Sequence, residues 1–563
     1  MTTESPEVAD FKLIVKMGLD RGAYLLSAGE LVVARQMGAL EGDPARLYVR
    51  LVNRKPTFFA FSDLEQLPVD NLEGTTQTLL RLGLLDQLVP WNRRAAGLPV
   101  RLLKEHCRKL KLPTAGRRND LVARLGSHCH WSTEKWLRLR HRALYRRLER
   151  WAFLSRHRDR SAMVVERLGH VRWPQYELTS DIPPGELHGN RRTLLAWEDL
   201  YFHGEERDAD AVLEALKAGL HRAPSRLDLG HRSRKQILEI ARTHERQGQH
   251  TEARRLYTQL VELGQLAPAD LALRVARTWE KEGHCQRGLA HLNVHRTKAT
   301  AVQSLAISRM GRRMAKLCRR GWAPDVPLLE PRERKLRLVA QEKQANRPTF
   351  GPSSLPAERA VVEVLADHGR RAVMAEGTLW TTLFALLFAE VYFIPVPHTL
   401  PVPFLTGPLD LGTPQFVERR KDHIADIMAA IDRGDGPRRI IEEDGRHRGE
   451  RLAGANWQIA DGPTLATIAE GVGPRGLSRI INALLHGRRS AAGLPDLVVL
   501  PGKATRIECL WPTKIPSSLF LVEVKGPTDA VRDEQTIWFD RLLHHQILVE
   551  LWQIVPFFHA SKA

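Results

Sequence analysis

The sequence predicts a mixed, mostly α-helical, multidomain chain that ends in an α/β domain, and three observations predict it. Its 563 residues are enough for several separate cores. Apolar residues recur at helical spacing through most of the length. Near the C-terminal end stand two β-rich runs, Leu497-Val-Val-Leu and Phe520-Leu-Val-Glu-Val, each closed by Gly and Pro. A hydrophobic share of 43% fits a globular protein, while a net charge of +20 and a pI near 10.0 point to a polyanionic partner, nucleic acid before an acidic membrane surface. The five cysteines have no paired CxxC spacing, which argues against a disulfide framework or a zinc ribbon and for a reducing cytosol. The opening Met-Thr-Thr-Glu-Ser-Pro-Glu lacks the basic flank and apolar core of a signal peptide. Leu379 to Phe393 carries Glu390 and falls short of the roughly 20 apolar residues that a membrane span needs, so a buried helix and no membrane contact are expected.

Taken in order, Leu47-Tyr-Val-Arg-Leu-Val reads as a strand or an amphipathic helix, and Leu79 to Leu88 as a helix. Residues 91 to 173 hold 22 Lys or Arg against 6 Asp or Glu, so most of the excess charge is local. Within them, Leu102 to Leu125 predicts two short helices around a turn, with Leu102, Leu103 and Leu110 meeting Leu121, Val122 and Leu125, and with Asn119 as N-cap. Lys104, Arg117 and Arg118 are expected to contact phosphates, which gives affinity without base reading. A long basic helix is predicted from Thr133 to Arg160, with Trp136, Ala143, Leu144, Leu148 and Trp151 on its apolar stripe. An acidic run after residue 175 marks a boundary. Helices follow, and Ala241-Arg-Thr-His-Glu-Arg-Gln-Gly returns as Ala276-Arg-Thr-Trp-Glu-Lys-Glu-Gly, 35 residues later. Pro348-Thr-Phe-Gly-Pro-Ser-Ser-Leu-Pro marks the next boundary.

The C-terminal region carries the chemistry. A helix is predicted to open at Ala372, with Glu376 near its start, where a lone glutamate favours the helix dipole. Asp496 stands at the mouth of the first β run. In the second run, side-chain alternation puts Glu523 and Lys525 on one face and Val522 and Val524 on the other. Two carboxylates hold a hard cation through oxygen, and an ammonium beside them orients or deprotonates water; this pattern points to metal-dependent phosphodiester hydrolysis. Arg488 and Arg489, in His486-Gly-Arg-Arg-Ser, are placed either near the scissile phosphate or as solvated loop residues.

Pro495-Asp before one β run and Glu523-Val-Lys ending the next resemble the PD-(D/E)XK nuclease superfamily. Gly493-Leu-Pro-Asp-Leu-Val-Val-Leu, Leu521-Val-Glu-Val-Lys-Gly-Pro-Thr-Asp and Gln535-Thr-Ile-Trp resemble its VRR-NUC branch, and the chain as a whole is similar to the Fanconi-associated nuclease family. The resemblance implies a C-terminal α/β PD-(D/E)XK (VRR-NUC) domain with Mg2+ or Mn2+ held by Glu376, Asp496, Glu523 and the Val524 carbonyl. It implies Lys525 as the catalytic lysine and Gln535 as support for the site. The helix pair resembles a SAP motif, and the repeated stretch a tetratricopeptide repeat. The implied domains are a winged-helix-like domain over residues 1–90, a SAP-type domain over 91–175, a helical-repeat domain over 176–350 and the nuclease over 351–563. The implied activity is 5′ flap endonuclease and 5′-to-3′ exonuclease cleavage of branched or flapped DNA in interstrand crosslink repair, in the cytoplasm or at a prokaryotic nucleoid. Protein partners are expected at the helical repeats. Two other functions are open, a symmetric Holliday-junction resolvase and a non-catalytic repair scaffold.

Overall fold

The computed structural model describes residues 5–54, 56–87, 100–125, 135–154, 160–181, 189–203, 208–217, 230–263, 268–323, 327–344, 347–350, 354–485 and 492–557. The chain divides into two compact units, one of residues 1–170, 181–198 and 226–228, the other of residues 171–180, 199–225 and 229–563. No described helix is long and apolar enough to cross a membrane.

The first unit opens with helices Pro6–Gly22, Ala28–Gly38 and Gly42–Val52, so Leu47 to Val52 is helical. Ser27 and Glu30 form a reciprocal capping box that fixes where the second of these begins. The ring of Phe11 stacks on Tyr145 at 5.0 Å, tying the first helix to Arg142–Phe153. Helix Leu72–Arg81 ends before the predicted Leu88, and the chain turns into a short strand. Strands β1 (Phe58–Ala60), β2 (Leu85–Asp86) and β3 (Trp136–Leu139) make an antiparallel sheet with β3 in the centre. This corrects the long helix predicted from Thr133: Trp136, Leu137 and Leu139 are buried in a strand, and His141 at φ 59 breaks the chain before the helix starts.

The basic helix pair is Val100–Lys109 and Arg118–Leu125. Leu103, Cys107, Leu121 and Leu125 close a small core against Ala60 and Trp136. Asn119 lies inside the second helix rather than capping it; the Asp120 carboxylate accepts the Arg117 backbone N–H at 2.7 Å instead.

In the second unit, Gly230–Arg246 pairs with His250–Glu262, and Pro268–Lys281 with Cys285–Arg296. Each pair turns at a glycine of positive φ, Gly248 and Gly283, which accounts for the repeated glycine in the sequence. Helix Ala301–Leu317 completes this portion.

The rest is built on a seven-stranded mixed sheet. Its strands are β4 (Arg332–Gln344), β5 (Arg347–Phe350), β6 (Ala372–Met374), β7 (Leu497–Val499), β9 (Leu510–Trp511), β11 (Phe520–Lys525) and β12 (Val549–Phe557), in the order β5-β4-β12-β11-β7-β6 with β9 also on β4. The small pair β8 (Thr505–Arg506) and β10 (Lys514–Ile515) stands apart. Strands β4, β12 and β11 run parallel, while β7 and β6 run antiparallel to their neighbours. Helices Leu379–Leu387, Gly462–Leu485 and Asp533–His544 cover one face with a core that includes Leu521 and Val549. Helix Ala357–Asp367 covers the other, against Val522 and Val524.

Two sequence expectations change here. Residues Arg332–Gln344, counted with the helical repeats before the boundary expected at residue 350, belong to this sheet and pair with β12 over eight positions. Their charged pattern hides a strand because Arg334 is itself buried: its guanidinium grips Glu550 in two hydrogen bonds of 2.6 and 2.7 Å, with side-chain exposures of 0% and 1%. The helix predicted to open at Ala372 starts only at Leu379, because Ala372–Met374 is the strand β6.

Candidate active site

Alternation in β11 does what the sequence requires of it. Val522 and Val524 are buried in the core beneath helix Ala357–Asp367, so Glu523 and Lys525 emerge on the opposite face. Lys525 Nζ lies 2.8 Å from Glu523 Oε1, and both side chains are nearly inaccessible to water. Antiparallel pairing of Val522 with Leu497 sets Asp496 beside Glu523 at the strand ends. The Val524 N–H donates to Asp496 Oδ2 at 2.9 Å, which fixes the aspartate against β11.

Pairing continues outward from β7 to β6, where Met374 faces Leu497 and the Ala375 N–H donates to the Asp496 carbonyl at 2.6 Å. Glu376 is the next residue. It is exposed, and its charge acts on Asp496. Three adjacent strand ends thus carry Glu523, Asp496 and Glu376 in spatial order, although Glu376 is 120 residues before Asp496 in the chain.

Helix Asp533–His544 supplies the remaining member. The Gln535 amide oxygen accepts the Arg532 backbone N–H at 2.8 Å, so its nitrogen is turned to donate to Glu523 Oε1. Gly493, at φ +93, lets the loop before β7 press on this helix start: a Cβ there would stand 2.5 Å from the Glu534 carbonyl carbon. The Gly-Leu-Pro-Asp stretch and the glutamine are therefore one packed unit.

The electrostatics are those of crowded carboxylates. Burial first, and the Asp496 carboxylate second, push Glu523 up to about 8 despite the neighbouring ammonium of Lys525. Burial pushes Asp496 up to about 6, and the carboxylates of Glu358 and Glu376 add to it. Glu358, in the first turn of helix Ala357–Asp367, is the acidic group that sequence reasoning missed. Its only signal is a glutamate after Pro356, which reads as an ordinary helix start.

One oxygen tests whether a cation fits. Glu523 Oε1 takes Lys525 and Gln535, while Oε2 is buried with no donor and the carboxylate stands against that of Asp496. A buried carboxylate oxygen left unpaired costs free energy. A hard cation shared with Asp496 would satisfy it and relieve the repulsion between the two carboxylates. Among the described residues no set of three or more His, Cys, Asp or Glu already stands at ligand distance, so the donors that fit are Asp496 and Glu523, with Glu376 on the next strand end.

Of the other expected residues, Arg117 and Arg118 are exposed and Lys104 is half-buried on the basic helix pair. Arg488 and Arg489 lie outside the described residues.

A VRR-NUC domain matches residues 433–555 and a SAP domain residues 96–127. A Fanconi-associated nuclease 1 homolog of Pseudomonas aeruginosa is 26% identical over 555 residues, covering 94% of this chain and 92% of the relative. One from Arabidopsis thaliana is 23% identical over 610 residues, covering 97% of this chain and 66% of the relative. A rice homolog is 30% identical over 205 residues, 35% of this chain and 20% of the relative. The chain therefore spans between about a fifth and two thirds of the length of these plant relatives. Among solved structures, paFAN1 bound to 2nt 5′flap DNA with gap superposes with a TM-score of 0.78 at 21% identity, covering 98% of each chain. Residues 433–555 of this chain thus match a VRR-NUC domain, and the chain over nearly its whole length is similar to Fanconi-associated nuclease homologs and has the multidomain fold of one solved with DNA.

Proposed function

We propose that this protein is a structure-specific DNA nuclease that cuts 5′ flaps and degrades from 5′ ends, and that it serves interstrand crosslink repair. The observation that carries the proposal is the buried Asp496–Glu523–Lys525 cluster, in which two carboxylates stand together and one oxygen has no donor. The flap specificity rests on likeness to a protein solved with 5′ flap DNA and the repair role on the resemblance to the Fanconi-associated nuclease family, and both are proposals for this chain.

Asp496 and Glu523 would hold Mg2+ or Mn2+, joined by Glu376 and the Val524 carbonyl. Such a cation, when bound, polarises a phosphodiester and neutralises charge at phosphorus. The chain's own residues do the rest. Lys525 is anchored to Glu523 and presents its ammonium to the attacking water or the phosphate. Gln535 holds Glu523 in one orientation, and the Val524 N–H does the same for Asp496. The exposed Arg117 and Arg118, with Lys104, would bind duplex phosphates.

The deciding experiment offers the purified protein, with Mg2+ or Mn2+, end-labelled 5′ flaps, 3′ flaps, four-way junctions and plain duplex. Cuts a few nucleotides from the 5′ flap junction are expected. Equal cutting of both flap polarities overturns the flap specificity, symmetric incision of four-way junctions favours a resolvase, and no cleavage of any substrate favours a scaffold.

A further inference from the structure

Cys285 opens helix Cys285–Arg296, and Cys318 follows directly on Ala301–Leu317, the helix that packs beside it. The two helices come very close at Gly288, where a Cβ would stand 2.2 Å from the terminal methyl of Met314. Cys285 is one helical turn before Gly288, and Cys318 is one turn after Met314. Because a short connection joins the helices, they run in opposite directions, and these two steps bring both cysteines to the same level of the hairpin. The Cys285 thiol is close enough to act on that of Cys318. Both are free, and neither is fully buried. Cys107, by contrast, is sealed in the core of the basic helix pair.

We propose that Cys285 and Cys318 are a redox-active dithiol that exchanges with a small-molecule disulfide to close a bond between the two helices. One cysteine thiolate attacks a sulfur of the small disulfide, forming a mixed disulfide and expelling one small thiolate. The other cysteine loses its proton to solvent and attacks the protein sulfur of that mixed disulfide, expelling the second. Two protein thiols are oxidised to one disulfide, and the small disulfide is reduced to two thiols. The geometry favours the second step, since the resolving thiol is already in place. Burial and the neighbouring Cys285 raise the Cys318 thiol above its ordinary range, while Arg320 acts the other way, so exchange quickens as pH rises.

The test needs no nuclease activity and is independent of that reading. The reduced full-length protein is incubated with oxidised glutathione at about pH 8, digested without reductant and mapped by mass spectrometry. A peptide joining Cys285 to Cys318, released by reductant, is expected. Cys285→Ser, with circular dichroism to check its fold, should instead leave a lasting glutathione adduct on Cys318. Separate adducts on both cysteines of the wild type, or both recovered as free thiols, overturn the proposal.

Discussion

Glu523 Oε1 is held by Lys525 and Gln535 while Oε2 has no donor, and that asymmetry yields the sharpest tests. Asp496→Ala and Glu523→Ala should each abolish cleavage and leave DNA binding measurable, because they remove cation donors far in sequence from the basic helix pair; wild-type cutting by either sinks the assignment. Gln535→Ala should weaken apparent Mg2+ affinity by about 10–100-fold while cutting at saturating cation falls less, read from a metal titration. His447 offers a pH test away from the site. Glu443 and Glu450 raise it above its ordinary 6.5, with Glu450 at 2.8 Å, while Arg446 and Arg172 face the same two carboxylates. A raised histidine contributes stability that is complete below 6.5 and is lost as pH climbs through the folded-state value. His447→Gln should therefore lower the melting temperature at about pH 6 and much less at about pH 9; an equal loss at both rejects the charge account. At this scale the sequence was most readable where period-two alternation decides a direction, as for Glu523 and Lys525. It was silent on Glu358, since nothing local ties a helix-start glutamate to a distant strand.

The helix Asp533–His544 shows how elements carry the site. Beyond holding Gln535, it is gripped from the helical portion by Arg309, whose guanidinium meets both oxygens of Asp533 at 2.5 and 2.6 Å. Arg309 is 57% exposed, so the pair adds little to stability, at most about 1 kcal/mol. Its effect should fall on alignment: Arg309→Ala should leave the melting temperature nearly unchanged and lower cleavage several-fold at limiting Mg2+, with recovery in Arg309→Lys. For the basic helix pair, alanine at Lys104, Arg117 and Arg118 should weaken all DNA sequences alike and flatten the salt dependence by up to about 3 in log–log slope, about 0.9 per lost phosphate contact. An unchanged slope removes this pair from the DNA path. Element types were legible where one period was clean, as in Val100–Lys109 and Arg118–Leu125. Trp136–Leu139 was misread because its apolar residues continue the stripe of the following helix, and only pairing on both sides reveals a strand.

Across the whole molecule, chain order and spatial order part company. The sheet that presents Asp496 and Glu523 draws a strand from beyond the Pro348 to Pro356 loop, which the sequence offered as a boundary. Glu376 shows the same limit, for its place beside Asp496 is set by β6–β7 pairing and was reached from sequence only through resemblance. Removing Arg334 by Arg334→Ala would strand Glu550 as a buried, uncompensated charge and should cost about 3–5 kcal/mol, measured by denaturant unfolding. A fragment cut at residue 351 goes further. It keeps every residue of the candidate site yet discards β4, so β12 loses its parallel neighbour along eight positions. The exposed ladder of Val549–Phe557, rich in β-branched and aromatic side chains, then becomes a template for another copy of itself. Expression of the isolated C-terminal portion should give aggregates, and soluble material should return when the chain begins a few residues before Arg332: the long charged strand works as a guard against self-association as much as a wall of the sheet.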